Sequence, residues 1–203
     1  MALSPSFAGL ILAAGASSRM GRDKALLPWG EGTFLSAAIR ALQPATELVI
    51  VVGGANAANL RPVVDAHAAF LVVNPSPQQG QFSSLQVGLR EVLNRGRDAA
   101  IITLVDRPAA NVQTVQQIKS AFLGSEDNIW AMVPEYADKH GHPFAIGREM
   151  IEAFLRAPVQ SSARDVEHAN QDHIRYLAVN DPLVAANVDT PEDFEKIQTG
   201  TRL

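Results

Sequence analysis

The apolar and polar positions along the chain fall into short blocks. The first is a continuous apolar run, Leu10 to Ala14, short enough to be one buried strand and ended by Gly15. A polar loop from Ala16 to Lys24 follows, closed by Leu26, Leu27 and Pro28. Thr33 to Leu42 has apolar residues at helical spacing, with Thr33 placed to cap it. Glu47 to Val52 is a β-branched run ended by Gly53-Gly54, so a strand and a turn. Ala55 to Asp65 predicts a helix interrupted near Pro62, and Ala69 to Val73 a short strand ended by Asn74-Pro75. Gln78 to Gly80 is a polar turn. Ser83 to Leu93 predicts a helix with Leu85, Leu89 and Val92 on one face. Asp98 to Val105 carries the most buried-looking strand, stopped by Asp106-Arg107-Pro108; Val112 to Phe122 is a helix and Ile129 to Val133 a strand.

This alternation of strand and helix over the first 135 residues predicts a parallel sheet covered on both faces. The expected class is α/β: a three-layer α/β/α, Rossmann-like fold with a mostly parallel sheet. Ligands of such sheets bind beyond the carboxyl ends of the strands, where Gly15 and Asp106 both fall. The last third is less regular. His140 to Ile146 predicts an antiparallel strand, Gly147 to Leu155 and Ala163 to Ala169 helices, and Ile174 to Val179 a strand. Asn187 to Asp193 reads as a strand end followed by a helix start, with Thr190 as cap and Pro191 at the first helical position. No repeat, low-complexity tract or linker divides the chain, so one domain over residues 1–203 is expected.

A strand ending in glycine, then small residues and cations, is a way of holding phosphate. Gly15 lets backbone approach a ligand, loop N–H groups can face anionic oxygens, Arg19 offers a planar fork and Lys24 a point charge. Neither standard glycine fingerprint is present: Met20 and Ala25 break G-x-x-x-x-G-K-[ST], and Ser17 breaks G-x-G-x-x-G. The plainer alternative is a strand-to-helix turn with surface cations. Asp106, at a buried strand end, is a ready Mg²⁺ ligand or the first residue of a turn. Asp189, before Thr190-Pro191, is a second carboxylate or part of a helix start, where Glu192 and Asp193 serve the helix dipole.

The run Leu-Ala-Ala-Gly-x-Ser-x-Arg-Met-Gly-x-x-Lys-x-Leu-Leu-Pro, at Leu12 to Pro28, resembles the signature of the MobA/MocA-like nucleotidyltransferases. The resemblance extends over residues 9 to about 198 and implies the fold of the nucleotide-diphospho-sugar transferases. It implies a nucleotide-binding half over residues 9–135 and an acceptor-binding half over 136–198. Leu12, Ala13, Ala14, Gly15, Ser17, Arg19 and Lys24 are then expected at the nucleotide, with Lys24 and Arg19 catalytic: Lys24 at the α-phosphate and Arg19 on the leaving pyrophosphate. Gly80 to Leu85 is similar to the family's G-Q-S-x-S-L segment and brings Gln81, Ser83 and Ser84 to the nucleotide; Phe82 replaces a small serine and is expected to tighten the pocket. Asp106 in D-x-P and Asp189 in V-D-T-P-E-D are expected to hold Mg²⁺, the cofactor implied. Arg107 departs from the family pattern within D-x-P. His140, Gly141 and His142 resemble the family's G-H-P segment and, with Arg164, are expected on the acceptor side. An unpaired Asp106–Asp189 carboxylate pair would repel, leaving the site soft.

The reaction implied moves a nucleoside monophosphate from an NTP to a phosphorylated acceptor of the molybdopterin type. The Ala14 form of the motif is associated with CTP rather than GTP. A phosphate acceptor is already a nucleophile, so the protein's part is positioning and charge neutralisation. Sugar-phosphate or isoprenoid acceptors, and a non-catalytic nucleotide-binding accessory of a molybdoenzyme, are the alternatives. A molybdoenzyme or molybdenum-insertion protein is the implied partner.

Composition narrows the field. A net charge of −4 argues against a nucleic-acid partner, and 47% hydrophobic residues suffice for a core. The absence of cysteine removes disulfides and thiolate metal sites. His140 and His142 at i, i+2 would share a strand face, but no third clustered His supports a transition-metal site. No apolar run approaches a membrane span and no signal peptide is legible at the start, so a cytoplasmic location without membrane contact is expected.

Overall fold

The structure is a computed structural model that describes residues 5–15 and 23–198, with the side chain of residue 198 left aside. Ser17 and Arg19 therefore lie outside the described residues. The strands are β1 (Phe7–Leu12), β2 (Pro28–Trp29), β3 (Gly32–Thr33), β4 (Leu48–Gly53), β5 (Phe70–Val73), β6 (Ala99–Leu104), β7 (Ala131–Tyr136), β8 (Lys139–His140), β9 (Phe144–Ile146) and β10 (Ile174–Ala178). The helices are α1 (Phe34–Leu42), α2 (Ala57–Ala66), α3 (Gln81–Asn94), α4 (Val112–Leu123), α5 (Arg148–Arg156), α6 (Ala163–Ala169) and α7 (Pro191–Gln198).

The main sheet runs β10-β7-β9-β6-β1-β4-β5, with β8 attached to β7. Pairings β5-β4-β1-β6 and β7-β10 are parallel, and β9 enters antiparallel between β6 and β7. All six residues of β1 are buried, because apolar side chains leave it toward both faces. One face carries Phe7, Ile11, Val49, Val51 and Ile101 into a core under α1, α2 and α4. The other carries Leu10, Leu12, Ile50, Val52 and Ile102 into a core under α3, α5 and α6. These are the three layers. Gly88 lets α3 lie directly on the sheet: a Cβ there would stand 2.5 Å from Leu10 Cδ1.

Three expectations need correction. The α2 helix is continuous through Pro62. Pro62 lies on its exposed face, where a carbonyl deprived of its N–H partner can be hydrated. His140 to Ile146 is not one strand: Gly141, His142 and Pro143 separate β8 from β9, and the His142–Pro143 peptide is cis. Asn187 to Asp189 is not a strand either, but an irregular segment reached from a 3₁₀ turn at Pro182–Ala185. Its place in the fold is set by the Val188 N–H, which donates to the Asp106 carbonyl at 3.1 Å. The helix starts behave as read. Thr33 accepts from the Ser36 N–H in a capping box, and Thr190 and Asp193 form a second such pair ahead of α7. Among the described residues, no helix is long and apolar enough to cross a membrane.

Candidate active site

In-register pairing of β1 with β4 and β6 brings their carboxyl ends level, with Leu12 opposite both Val52 and Leu104. The Val105 N–H continues the ladder onto the Leu12 carbonyl at 3.1 Å, so Asp106 emerges beside the chain leaving β1 toward Gly15. Asp189 reaches the same point through the Val188–Asp106 backbone bond. Lys24 opens a 3₁₀ turn, Lys24–Leu26, started by the Asp23 carboxylate, which accepts from the Ala25 N–H at 3.1 Å. A small apolar cluster of Leu27, Phe34 and Val188, flanked by Trp29, Phe194 and Ile197, ties that turn to the C-terminal segment. Trp29 packs on Phe34.

The Lys24 Nζ thereby lies 3.2 Å from Asp189 Oδ1 and 4.0 Å from Asp106 Oδ2. One ammonium within reach of both carboxylates keeps them too close to serve separate sites. The Lys24 side chain is only 9% exposed, while the two carboxylates keep about a third of their surface. The expected repulsive pair is therefore a compensated one, with Lys24 between its members and the Asn187 amide donating to Asp189. The donor set suits a divalent cation: two carboxylates share one positive charge, and Asp106 Oδ1 is buried with no hydrogen-bond partner. Among the described residues no group of three or more His, Asp or Glu could cage a metal. An oxygen shell built here would be completed by water and substrate phosphates, as Mg²⁺ ordinarily is.

The nucleotide-side residues divide. Ala13 is held by scaffold bonds, its N–H to Val52 O at 2.8 Å and its carbonyl to the Asn56 amide at 2.9 Å. Leu12 is fixed by the ladder. Asn56 also donates to Asp23 at 2.7 Å, bracing both ends of the loop that begins at Gly15. Sequence reading missed Asn56, and its position after Gly53-Gly54 was the available signal. A Cβ on Gly54 would stand 3.1 Å from the Ala14 carbonyl and 3.2 Å from Pro77, so the β4 turn, Ala14 and the approach to α3 meet closely. Gln81 is exposed at the first position of α3. Ser83 and Ser84 are buried, and the Asn74 amide donates to both hydroxyls at 2.9 Å. They brace the start of α3 rather than facing open space. Phe82 also turns inward, onto Phe154 at 6.2 Å between ring centres, so it fills core and does not tighten the pocket.

The acceptor-side residues separate as well. Exposed His140 stacks on Tyr176 at 3.9 Å and lies 3.2 Å from Glu135. Gly141 packs on the Pro182–Ala185 turn so closely that a Cβ would fall 2.1 Å from the Val184 carbonyl oxygen. The His142 N–H donates to that carbonyl, and its ring meets Phe144 edge-on. The two imidazoles therefore do not share a face. Burial, reinforced by the nearby Arg107 charge, lowers the His142 pKa to about 3 and keeps the ring neutral. Arg107 is the other residue the sequence flagged only as a departure. It is part-buried, its Nη1 donates to the Ala186 carbonyl at 3.4 Å, and its Nε is buried without a partner. Asp106 and Asp189 both act on its charge, which places it within electrostatic reach of the carboxylate pair. Arg164 is exposed on α6, a helix packed against α5.

Comparison with known proteins agrees with this architecture. Residues 9–174 match the MobA-like NTP transferase domain. The molybdenum cofactor cytidylyltransferase of Escherichia coli (strain K12) is 26% identical, over 91% of this chain and 92% of its own length. The nicotine blue oxidoreductase of Paenarthrobacter nicotinovorans is 31% identical, over 98% and 97%. The Rv0371c protein of Mycobacterium tuberculosis H37Rv superposes with a TM-score of 0.81 at 29% identity, covering 97% of this chain and 98% of that one. A structure of that protein in complex with manganese superposes at 0.78, with 27% identity, over 97% and 100%. With the domain match running through both the Gly15 loop and the Asp106 strand end, the chain belongs to the MobA-like NTP transferase family and carries a nucleotidyltransferase domain.

Proposed function

We propose that the protein transfers a nucleoside monophosphate, CMP in preference to GMP, from an NTP to a molybdopterin-type phosphorylated acceptor with Mg²⁺ as cofactor. The observation that carries this is the convergence of Lys24, Asp106 and Asp189 at the carboxyl edge of the parallel sheet. The cytidylyltransferase relative supplies the acceptor class, and the manganese complex of the Mycobacterium tuberculosis protein supports a divalent ion. Ala14, Gly15, Ser17 and Arg19, with Gln81 at the start of α3, receive the triphosphate. The positive end of α3 favours its charge. Asp106 and Asp189 would hold the metal, which when bound neutralises charge across the phosphates. Lys24 stabilises charge at the α-phosphate while the acceptor phosphate attacks and pyrophosphate leaves. The acceptor approaches past His140, Gly141 and His142, where Arg107 offers a guanidinium suited to an oxyanion.

The oxidoreductase relative has comparable identity, so identity alone does not assign the chemistry. Retention of Lys24 and both carboxylates favours transfer. The test incubates the purified protein with each NTP, Mg²⁺ or Mn²⁺, and molybdopterin, sugar-phosphate and isoprenoid-phosphate acceptors, and measures pyrophosphate. Release with CTP and molybdopterin is expected. No release with any pair would refute the reading.

A further inference from the structure

We infer that Lys24 occupies the cation position of the Asp106–Asp189 pair until nucleotide arrives, so that the divalent metal enters as its nucleotide complex and not alone. The inference rests on the proposed function, which makes the pair a metal site. Its basis is geometric. Two carboxylates drawn to one point share the same ammonium, at 3.2 and 4.0 Å, and that ammonium's side chain is almost wholly enclosed. The Arg107 charge also feels both carboxylates, so the pair faces positive charge before any ligand binds. A free divalent ion approaching this pair must displace or crowd a unit positive charge a few ångström away.

A triphosphate changes that balance. Its anionic oxygens give Lys24 another partner on the Gly15 side of the crevice. Asp23 and Asn56 hold the backbone at Lys24, so the side chain can turn without moving the loop exit. Once the ammonium turns to phosphate, it no longer competes for Asp106 and Asp189 with the metal that accompanies the nucleotide. Lys24 thus acts first as a stand-in for the metal and then on the α-phosphate. The arrangement also disfavours capture of a stray divalent ion without substrate.

The experiment measures free Mn²⁺ by electron paramagnetic resonance during titration of the ligand-free protein, with and without CTP or a non-hydrolysable analogue. Wild type is expected to bind Mn²⁺ weakly alone and much more tightly with nucleotide. Lys24→Met and Lys24→Gln are expected to tighten binding of Mn²⁺ alone by roughly tenfold or more, as removal of an adjacent unit charge requires. Lys24→Arg, which keeps the charge, gains nothing. Melting curves confirm that each variant is folded, and the two neutral variants guard against failure of one. No gain in either folded neutral variant, or an equal gain in Lys24→Arg, overturns the stand-in role while leaving the metal site intact. Failure of wild type to bind Mn²⁺ even with nucleotide, or equal binding by Asp106→Asn, overturns the metal reading and this inference with it.

Discussion

Lowering the pH from 7 to 5 should destabilise this protein through one imidazole. His142 is partly exposed as a residue, but its Nδ1 is sealed without a partner, and Arg107 lies nearby. Burial first and the Arg107 charge second lower its pKa from 6.5 to about 3. Between those values the unfolded chain binds a proton that the folded chain refuses. Stability therefore rises with pH across that window and is lost as pH falls through it. At pH 5 the unfolded ring is almost fully protonated, and the penalty relative to pH 7 is about 2 kcal/mol, at about 1.4 kcal/mol per pH unit below the unfolded value. Since the residue keeps some exposure, this is a ceiling. The shifted carboxylates Asp98, Asp165 and Asp193 have pKa values lowered from 3.8 and act below the range from pH 7 to pH 5. Glu167, raised by burial, acts in the opposite sense but equally in both proteins compared. The assay is denaturant unfolding at pH 7 and pH 5 for wild type and His142→Phe, which retains the N–H bonded to Val184. The readout is the difference between the two pH values, not absolute stability. A fall in the variant as large as in wild type would refute the assignment to His142.

Lys24→Ala should lower kcat on the order of 10²-fold, by more than it weakens nucleotide binding, because the contact is made most strongly in the transition state; unchanged kcat would remove Lys24 from the chemistry. Asp106→Asn and Asp189→Asn should each abolish metal-dependent turnover and lower stability by about 1 kcal/mol, since each deprives an enclosed ammonium of a partner; a stability gain on melting would contradict the compensated pair. Isothermal titration in Mg²⁺ should show CTP bound more tightly than GTP, and clear GTP preference would show that Ala14 does not govern the base. Gly141→Ala should cost roughly 1–3 kcal/mol and reduce turnover, because a Cβ 2.1 Å from the Val184 carbonyl must push the turn that leads to Asp189; unchanged melting and activity would show that the turn yields freely.

Much of this was legible because strand and helix signals are local. The apolar blocks at Leu10 to Ala14, Glu47 to Val52 and Asp98 to Val105 became the centre of the sheet, and their ends marked the crevice. Thr33 and Thr190 capped helices as their side chains and positions implied. What stayed hidden depends on partners far away in sequence. Ser83 and Ser84 look like ligands at a helix start, yet Asn74 takes both hydroxyls once β5 and α3 are adjacent. Phe82 looks like an intruder in a pocket until Phe154 arrives from α5. The two histidines at i, i+2 seem paired until Gly141 packs on Val184 and the rings find separate partners, Tyr176 and Phe144.

The charged triad shows why a motif can name the residues of a site without giving its resting state. Lys24 and Asp189 are 165 residues apart, and no periodicity links them. What joins them is apolar: Leu27 and Phe34 from one end of the chain close over Val188 from the other. Burial of those three side chains fixes where the turn and the C-terminal segment cross, and the charges are carried there on the same backbone. Electrostatics then decides how the gathered groups rest. Two partly exposed carboxylates would repel if left alone, and an enclosed ammonium would be costly without a partner, so the three settle together. The site's chemistry is thus written in its polar residues, and its geometry in the hydrophobic ones beneath them.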